Sequence, residues 1–301
     1  MSFNIWRISD GKAGHDSQSL GLCNAIKQHI PCNLYDIPAA SCNNNLFNYF
    51  FKRFPAGDKL PDPKLIVGAG HKTHLPMLTA KRARGGKTIV LMKPSLPRIL
   101  FDYCIIPKHD RAGNTAKTIF TNGAINTITA SQDKNEDQVL VLVGGPSRHF
   151  DWDNKKIVAQ ILRLVRQDQK KRFVIIGSRR TPGEFFSQID TEKNSMIDIY
   201  TEQQCDKSKL NNFMCSAKQI WVSEDSVSMV YEALSSGAEV GLLELTPKQE
   251  NKISASMKIL IEEGQLTPFY SWENTKTLSA GKIFNEAKRC TEQLAEMGAF
   301  D

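Results

Sequence analysis

Short apolar runs closed by glycine, proline or charge recur along the chain, alternating with longer stretches whose apolar positions fall three and four residues apart. Phe3–Ile8, Leu65–Val67, Thr88–Met92 and Tyr103–Ile106 read as buried parallel strands, because a strand covered on both faces is apolar throughout rather than at alternate positions. Ser17–His29, through Leu20, Cys23 and Ile26, and Thr73–Arg84 carry the helical period. After a polar stretch, Thr129–Gln138, the rhythm restarts with strands at Val139–Val143, Arg172–Ile176, Gln219–Val222 and Val240–Leu245 and helices at Asn154–Asp168 and Ser226–Ser236. The tail Ser279–Met297 is again helical in pattern. Strands alternating with helices predict parallel, doubly wound sheets. Because the pattern occurs twice, the expected class is α/β with two Rossmann-like domains, 1–132 and 133–301, their sheets facing across a cleft and the last helix packing back on the first domain.

Size and composition agree with this and narrow it. A chain of 301 residues supports two cores, and 41% hydrophobic with 24% charged residues excludes disordered and collagen-like classes. No apolar run reaches the roughly 20 residues of a bilayer span, and the start lacks the apolar core of a secretory signal. Seven cysteines without a Cys-x-x-Cys pair predict free thiols, hence a cytoplasmic protein. The formal charge of +7 points to anionic partners without choosing among phosphates, nucleic acid and anionic membrane. Its basic residues are dispersed, so no nucleic-acid partner is expected.

Ligands of such sheets bind beyond the carboxyl ends of strands, which puts the candidate chemistry in the loops. After the first strand comes Ser9-Asp10-Gly11-Lys12-Ala13-Gly14-His15-Asp16, where Gly11 and Gly14 admit close backbone approach and Asp10 and His15 can move protons; a plain turn with a helix cap is the alternative. Gly70 and His71 come just after the strand ending at Val67. His71 and His74 have metal-ligand spacing but no third ligand, so substrate contact or helix-start packing is expected instead, and no metal. Gly144, Gly145, Ser147 and Arg148 make a candidate phosphate cradle, with Arg179 after the next strand. Finally Ser223, Asp225, Ser226 and Ser228 lead onto a helix start, where free amides and hydroxyls can hold a diphosphate; Glu232, one turn deeper than Ser228, can accept ribose hydroxyls. The bland alternative is a capped helix with Glu232 in solvent. Leu46–Phe54 interleaves aromatics with Lys52 and Arg53, either as a helix packed on its own domain or as a patch for an anionic membrane surface.

Taken together, these loops resemble the GT-B glycosyltransferases, whose second domain holds a nucleotide sugar with a strand, a small-residue turn and a helix bearing a ribose-binding Glu. The motifs Ile8–His15 with Gln18–Leu22, Gly144–Arg148 and Ser223–Met229 resemble, in order, those of the plant mitochondrial fission (elongated mitochondria) family and its bacterial relatives. The resemblance implies a GT-B-like fold and a nucleotide sugar as substrate, with no cofactor. It implies either transfer to an acceptor, a lipid-linked one being in keeping with the aromatic-basic segment and with a location at the inner face of a membrane, or a non-catalytic adaptor that binds a partner protein. A redox epimerase is not implied, because the chain has neither a Gly-x-Gly-x-x-Gly loop nor a Tyr-x-x-x-Lys pair.

Overall fold

The computed structural model describes residues 2–43, 45–110, 112–190, 196–249 and 252–301. Its contacts divide the chain into two units, residues 1–127 with 285–301, and residues 128–284.

In the first unit, strands β1 (Phe3–Ser9), β2 (Cys32–Pro38), β3 (Leu65–Ala69), β4 (Lys87–Leu91), β5 (Tyr103–Pro107) and β6 (Thr118–Thr121) form one six-stranded sheet, ordered β2-β1-β3-β4-β5-β6. Every pairing in it is parallel. Successive strand residues point to opposite faces, so each strand feeds two cores. Ile5, Val67, Ile89 and Ile105 pack beneath helix α1 (Ala13–His29), while Trp6, Ile66, Val90 and Ile106 pack with Met77 on the other face. That second face is covered by helices α2 (Asn45–Phe50) and α3 (His74–Arg84). Helix α2 rests on α3 through Thr79, whose hydroxyl donates to the Asn45 carbonyl, and through Tyr49, over whose ring the Arg82 guanidinium lies at 5.0 Å. Leu46, Phe47, Phe50 and Phe51 nevertheless stay exposed, so the segment packs on its own unit only in part.

The second unit repeats the plan. It contains β7 (Asn135–Val143), β8 (Phe150–Asp151), α4 (Asn154–Gln167), β9 (Arg172–Gly177), α5 (Gly183–Asp190), β10 (Ile197–Tyr200), α6 (Lys207–Ser216), β11 (Ala217–Ser223), α7 (Val227–Ser235), β12 (Glu239–Leu243), β13 (Thr246–Pro247), α8 (Lys252–Glu262), β14 (Thr267–Pro268) and α9 (Phe269–Thr275). Six strands form a parallel sheet, β10-β9-β7-β11-β12-β14, and β13 pairs antiparallel with β8. Val139, Val141 and Val143 join Ile157, Ile161, Trp221 and Trp272 in one core. Leu140, Leu142 and Val222 are buried on the opposite side.

Helix α10 (Glu286–Glu296) belongs to the first unit. Cys290 and Leu294 enter the core under α1, and the buried Glu286 carboxylate accepts the Asn122 amide at 2.8 Å and pairs with Arg289 at 2.6 Å.

Three expectations change. The tail is helical only from Glu286, because Asn285 caps that helix by accepting the Lys288 amide, and residues 276–285 before it form no regular element. The polar stretch Thr129–Gln138 is strand from Asn135, paired with Ala217 at the start of β11. Helix α1 begins at Ala13 rather than Ser17, which draws His15 and Asp16 into its first turn. Among the described residues no helix is long and apolar enough to cross a membrane, and all seven cysteines are free.

Candidate functional site

Strand β7 lies beside β11 in the second sheet, so the loops after them meet. The Ser223 hydroxyl donates to Asp225 Oδ1 at 2.7 Å and accepts the Gly144 amide at 2.8 Å; Asp225 Oδ2 accepts the Gly145 amide at 3.1 Å. Arg180 closes the cluster, with Nη2 2.7 Å from Asp225 Oδ2 and Nη1 donating to the carbonyls of Gly145 and Pro146. A side chain at residue 144 would place Cβ 2.1 Å from Asp225 Oδ2, so only glycine fits there. Ser178 and Thr181 donate to the Gly144 carbonyl from the loop after β9.

This geometry gives several of the residues singled out from sequence partners inside their own loops. The amides of Gly144 and Gly145, expected to cradle phosphate, are already committed, and Ser223 and Asp225 are buried struts that hold the loop. The hydroxyl of Ser147 accepts the amides of His149 and Phe150, which makes it a turn former. Arg180 was missed beside Arg179, because two adjacent arginines after a strand carry no signal of which one turns inward. Glu224 was missed too: its half-buried carboxylate accepts the Leu245 amide at 2.9 Å, and burial, with Glu244 and Asp225 nearby, pushes it up to about 7.

The remaining groups stay available. Ser226 precedes α7, and no side chain caps that helix, so its first-turn amides are left to solvent or a ligand. Ser228, Arg148 and Arg179 are exposed, and among the described residues neither arginine has an ion-pair partner. Glu232 is half-buried, and among the described residues no donor reaches its carboxylate; burial pushes it up to about 7, against a weak opposing influence from Lys207. A desolvated carboxylate without a donor is costly, and such groups concentrate at functional sites.

In the first unit, β1 and β3 are neighbours, which brings the loop after Ser9 against Gly70. His15 Nδ1 lies 2.9 Å from Oδ2 of Asp10, whose side chain is fully buried. Burial alone would raise the Asp10 pKa, but the bonds from His15 and from the Lys12 amide, with the charges of both residues, hold it below its ordinary value. The carboxylate is therefore ionised at neutral pH, and the ring N–H donates to it. Gly70 has φ +84, and a Cβ there would lie 2.3 Å from His15 Nδ1 and 3.0 Å from Asp10 Oδ2. Gly11 turns the chain at φ +76, while Gly14, inside α1, faces open space. His71 is exposed and His74 is buried against Phe101, its Nδ1 3.2 Å from the Ser95 hydroxyl, which places His74 in helix-start packing. Among the described residues no three His, Cys, Asp or Glu side chains gather as a metal site would require.

Comparison with known proteins places these features in a family. A protein of Rickettsia prowazekii (strain Madrid E), described as uncharacterized, is 27% identical, the match covering 96% of this chain and 97% of that one. The UDP-GlcNAc 2-epimerase of Methanocaldococcus jannaschii superposes with a TM-score of 0.61 at 12% identity, covering 99% of this chain and 100% of that one. The UDP-GlcNAc 2-epimerase of Neisseria meningitidis, solved with UDP-GlcNAc bound, gives 0.53 at 10% identity, with coverage of 99% and 100%. At these identities the likeness is one of fold, and the fold is GT-B-like. The sequence profile described as Mitochondrial fission ELM1 matches residues 13–297, and the chain belongs to that family.

Proposed function

We propose that the chain is a glycosyltransferase that moves a sugar from a nucleoside-diphosphate donor to an acceptor hydroxyl, with the second unit holding the donor and the first serving the acceptor. The observation that carries this reading is Glu232, a desolvated carboxylate that no donor reaches among the described residues, one turn below an uncapped helix start. Ribose hydroxyls would supply the missing donors. The leaving diphosphate would be met by the α7 amides, the Ser226 and Ser228 hydroxyls, and the exposed Arg148 and Arg179, without a metal ion; charge grows on it in the transition state, where such fixed donors act most strongly.

His15 is the base in this reading. Asp10 orients the ring and stabilises its protonated form, leaving Nε2 to take the acceptor's proton, the division of labour of an aspartate-histidine pair. The acceptor is taken to be lipid-linked, a reading supported by the exposed aromatic residues of α2. UDP-GlcNAc, which the neisserial structure holds, is the first donor to test.

A second reading, a non-catalytic adaptor, is favoured by the committed amides of Gly144 and Gly145. Thermal shift with UDP, GDP, ADP and CMP species tests the first reading. Binding at 100 times Kd stabilises by about 2.7 kcal/mol, so a nucleotide that binds raises the transition clearly. No response to any of them sinks the donor site. A response that survives His15→Ala, with cellular function also intact, favours the adaptor.

A further inference from the structure

We infer that the α2 segment is a docking surface for an anionic lipid bilayer. Leu46, Phe47, Phe50 and Phe51 are 62%, 55%, 66% and 60% exposed, four large apolar side chains within six residues, and the Phe47 and Phe51 rings lie 4.2 Å apart. A contiguous apolar patch of this kind on a folded surface marks an interaction site. Each of these side chains is more than half exposed, as a side chain seated in a groove would not be. A partner helix needs a concave receptor, whereas interfacial lipid takes protruding aromatics.

Charge selects the bilayer. No Asp or Glu occurs between Asp36 and Asp58, and Lys52, Arg53 and Arg82 are exposed around the patch. The other cations of α3 are spent, Lys81 on Asp102 and Arg84 on Asp62. Among the described residues Lys52, Arg53 and Arg82 have no carboxylate partner, so their field is directed outward. A second copy of the chain is disfavoured, because a two-fold contact sets a patch against itself and here would oppose cation to cation. Each basic side chain near an anionic leaflet strengthens binding about fivefold. The aromatic rings add to this without regard to headgroup charge. The surface is independent of the donor site and stands whether or not sugar is transferred.

Vesicle flotation of the full chain tests it, with phosphatidylcholine alone and with added phosphatidylglycerol. The expected result is flotation with the anionic vesicles, weakening as salt rises, and little with the neutral ones. Phe47→Ser/Phe50→Ser/Phe51→Ser and, separately, Lys52→Glu/Arg53→Glu each reduce the bound fraction at least tenfold with the melting transition unchanged, since all five side chains are exposed. A wild-type chain that stays at the bottom with anionic vesicles overturns the inference, as does flotation that both variants retain. A concentration-dependent dimer dissolved by the triple serine variant also overturns it, assigning the patch to self-association.

Discussion

Arg180 holds the fully buried carboxylate of Asp225 at 2.7 Å while its own head reaches water. Each partner therefore leaves a different defect when removed. Asp225→Ala strands the buried Gly145 amide and Ser223 hydroxyl, at a cost of about 2–4 kcal/mol. Arg180→Ala leaves Asp225 with two hydrogen bonds and costs less, about 1–2 kcal/mol, because the lost cation was partly solvated. Urea unfolding followed by tryptophan fluorescence ranks the two; equal effects would contradict this account.

Gly70→Ala is expected to act on chemistry rather than on donor binding. The new methyl group would sit 2.3 Å from His15 Nδ1, at a φ that disfavours alanine, so the ring must leave Asp10. Turnover falls by at least tenfold, as for His15→Gln, with nucleotide affinity unchanged. Isothermal titration beside an activity assay separates the two, and a loss of nucleotide affinity would count against the assignment of this dyad to the acceptor.

The sign of the pH effect at Glu232 follows from burial. Its pKa is raised from 4.5 to about 7, so the folded state holds a proton that the unfolded state releases. The resulting stability is fully present below about pH 4.5 and is lost as pH rises through 7. Glu232→Gln should then stabilise the chain at pH 8, by about 2–3 kcal/mol at most, and be near neutral at pH 4.5. Ribose binding needs the carboxylate, so wild-type nucleotide affinity rises from pH 6 to pH 8 and the Gln variant shows no such rise. Melting curves and titrations across that range check both.

Leu294→Ala should destabilise the first unit by about 2–5 kcal/mol, since Leu294 is fully buried under α1. Hydrogen exchange should report the loss at β1 and α1 while β7 and β11 keep their protection. Uniform loss over both units would contradict the division of contacts.

The central strands were legible because burial on both faces makes them apolar runs. Strand β2, Cys-Asn-Leu-Tyr-Asp-Ile-Pro, escaped notice because at the sheet edge its residues are mostly half-exposed and polar ones intervene. The loops that carry Asp10, His15, Gly144 and Ser223 were found by their place after strands. Their internal bonds were not, because Gly144 is small on account of Asp225, which is remote in the chain, and only the sheet order brings them together. Glu232 was picked out by spacing, but its lack of a donor among the described residues is a property of the packed unit alone.

The placement of α10 bears on how the polypeptide matures. Residues 285–301 supply Cys290, Leu294 and Ala299 to a core whose other buried members all precede residue 128. Residues 1–127 thus wait with α1 uncovered until α10 has been made, whereas residues 128–284 are contiguous and can close on themselves meanwhile. Of these two units, the one whose synthesis starts earlier is therefore the one completed later.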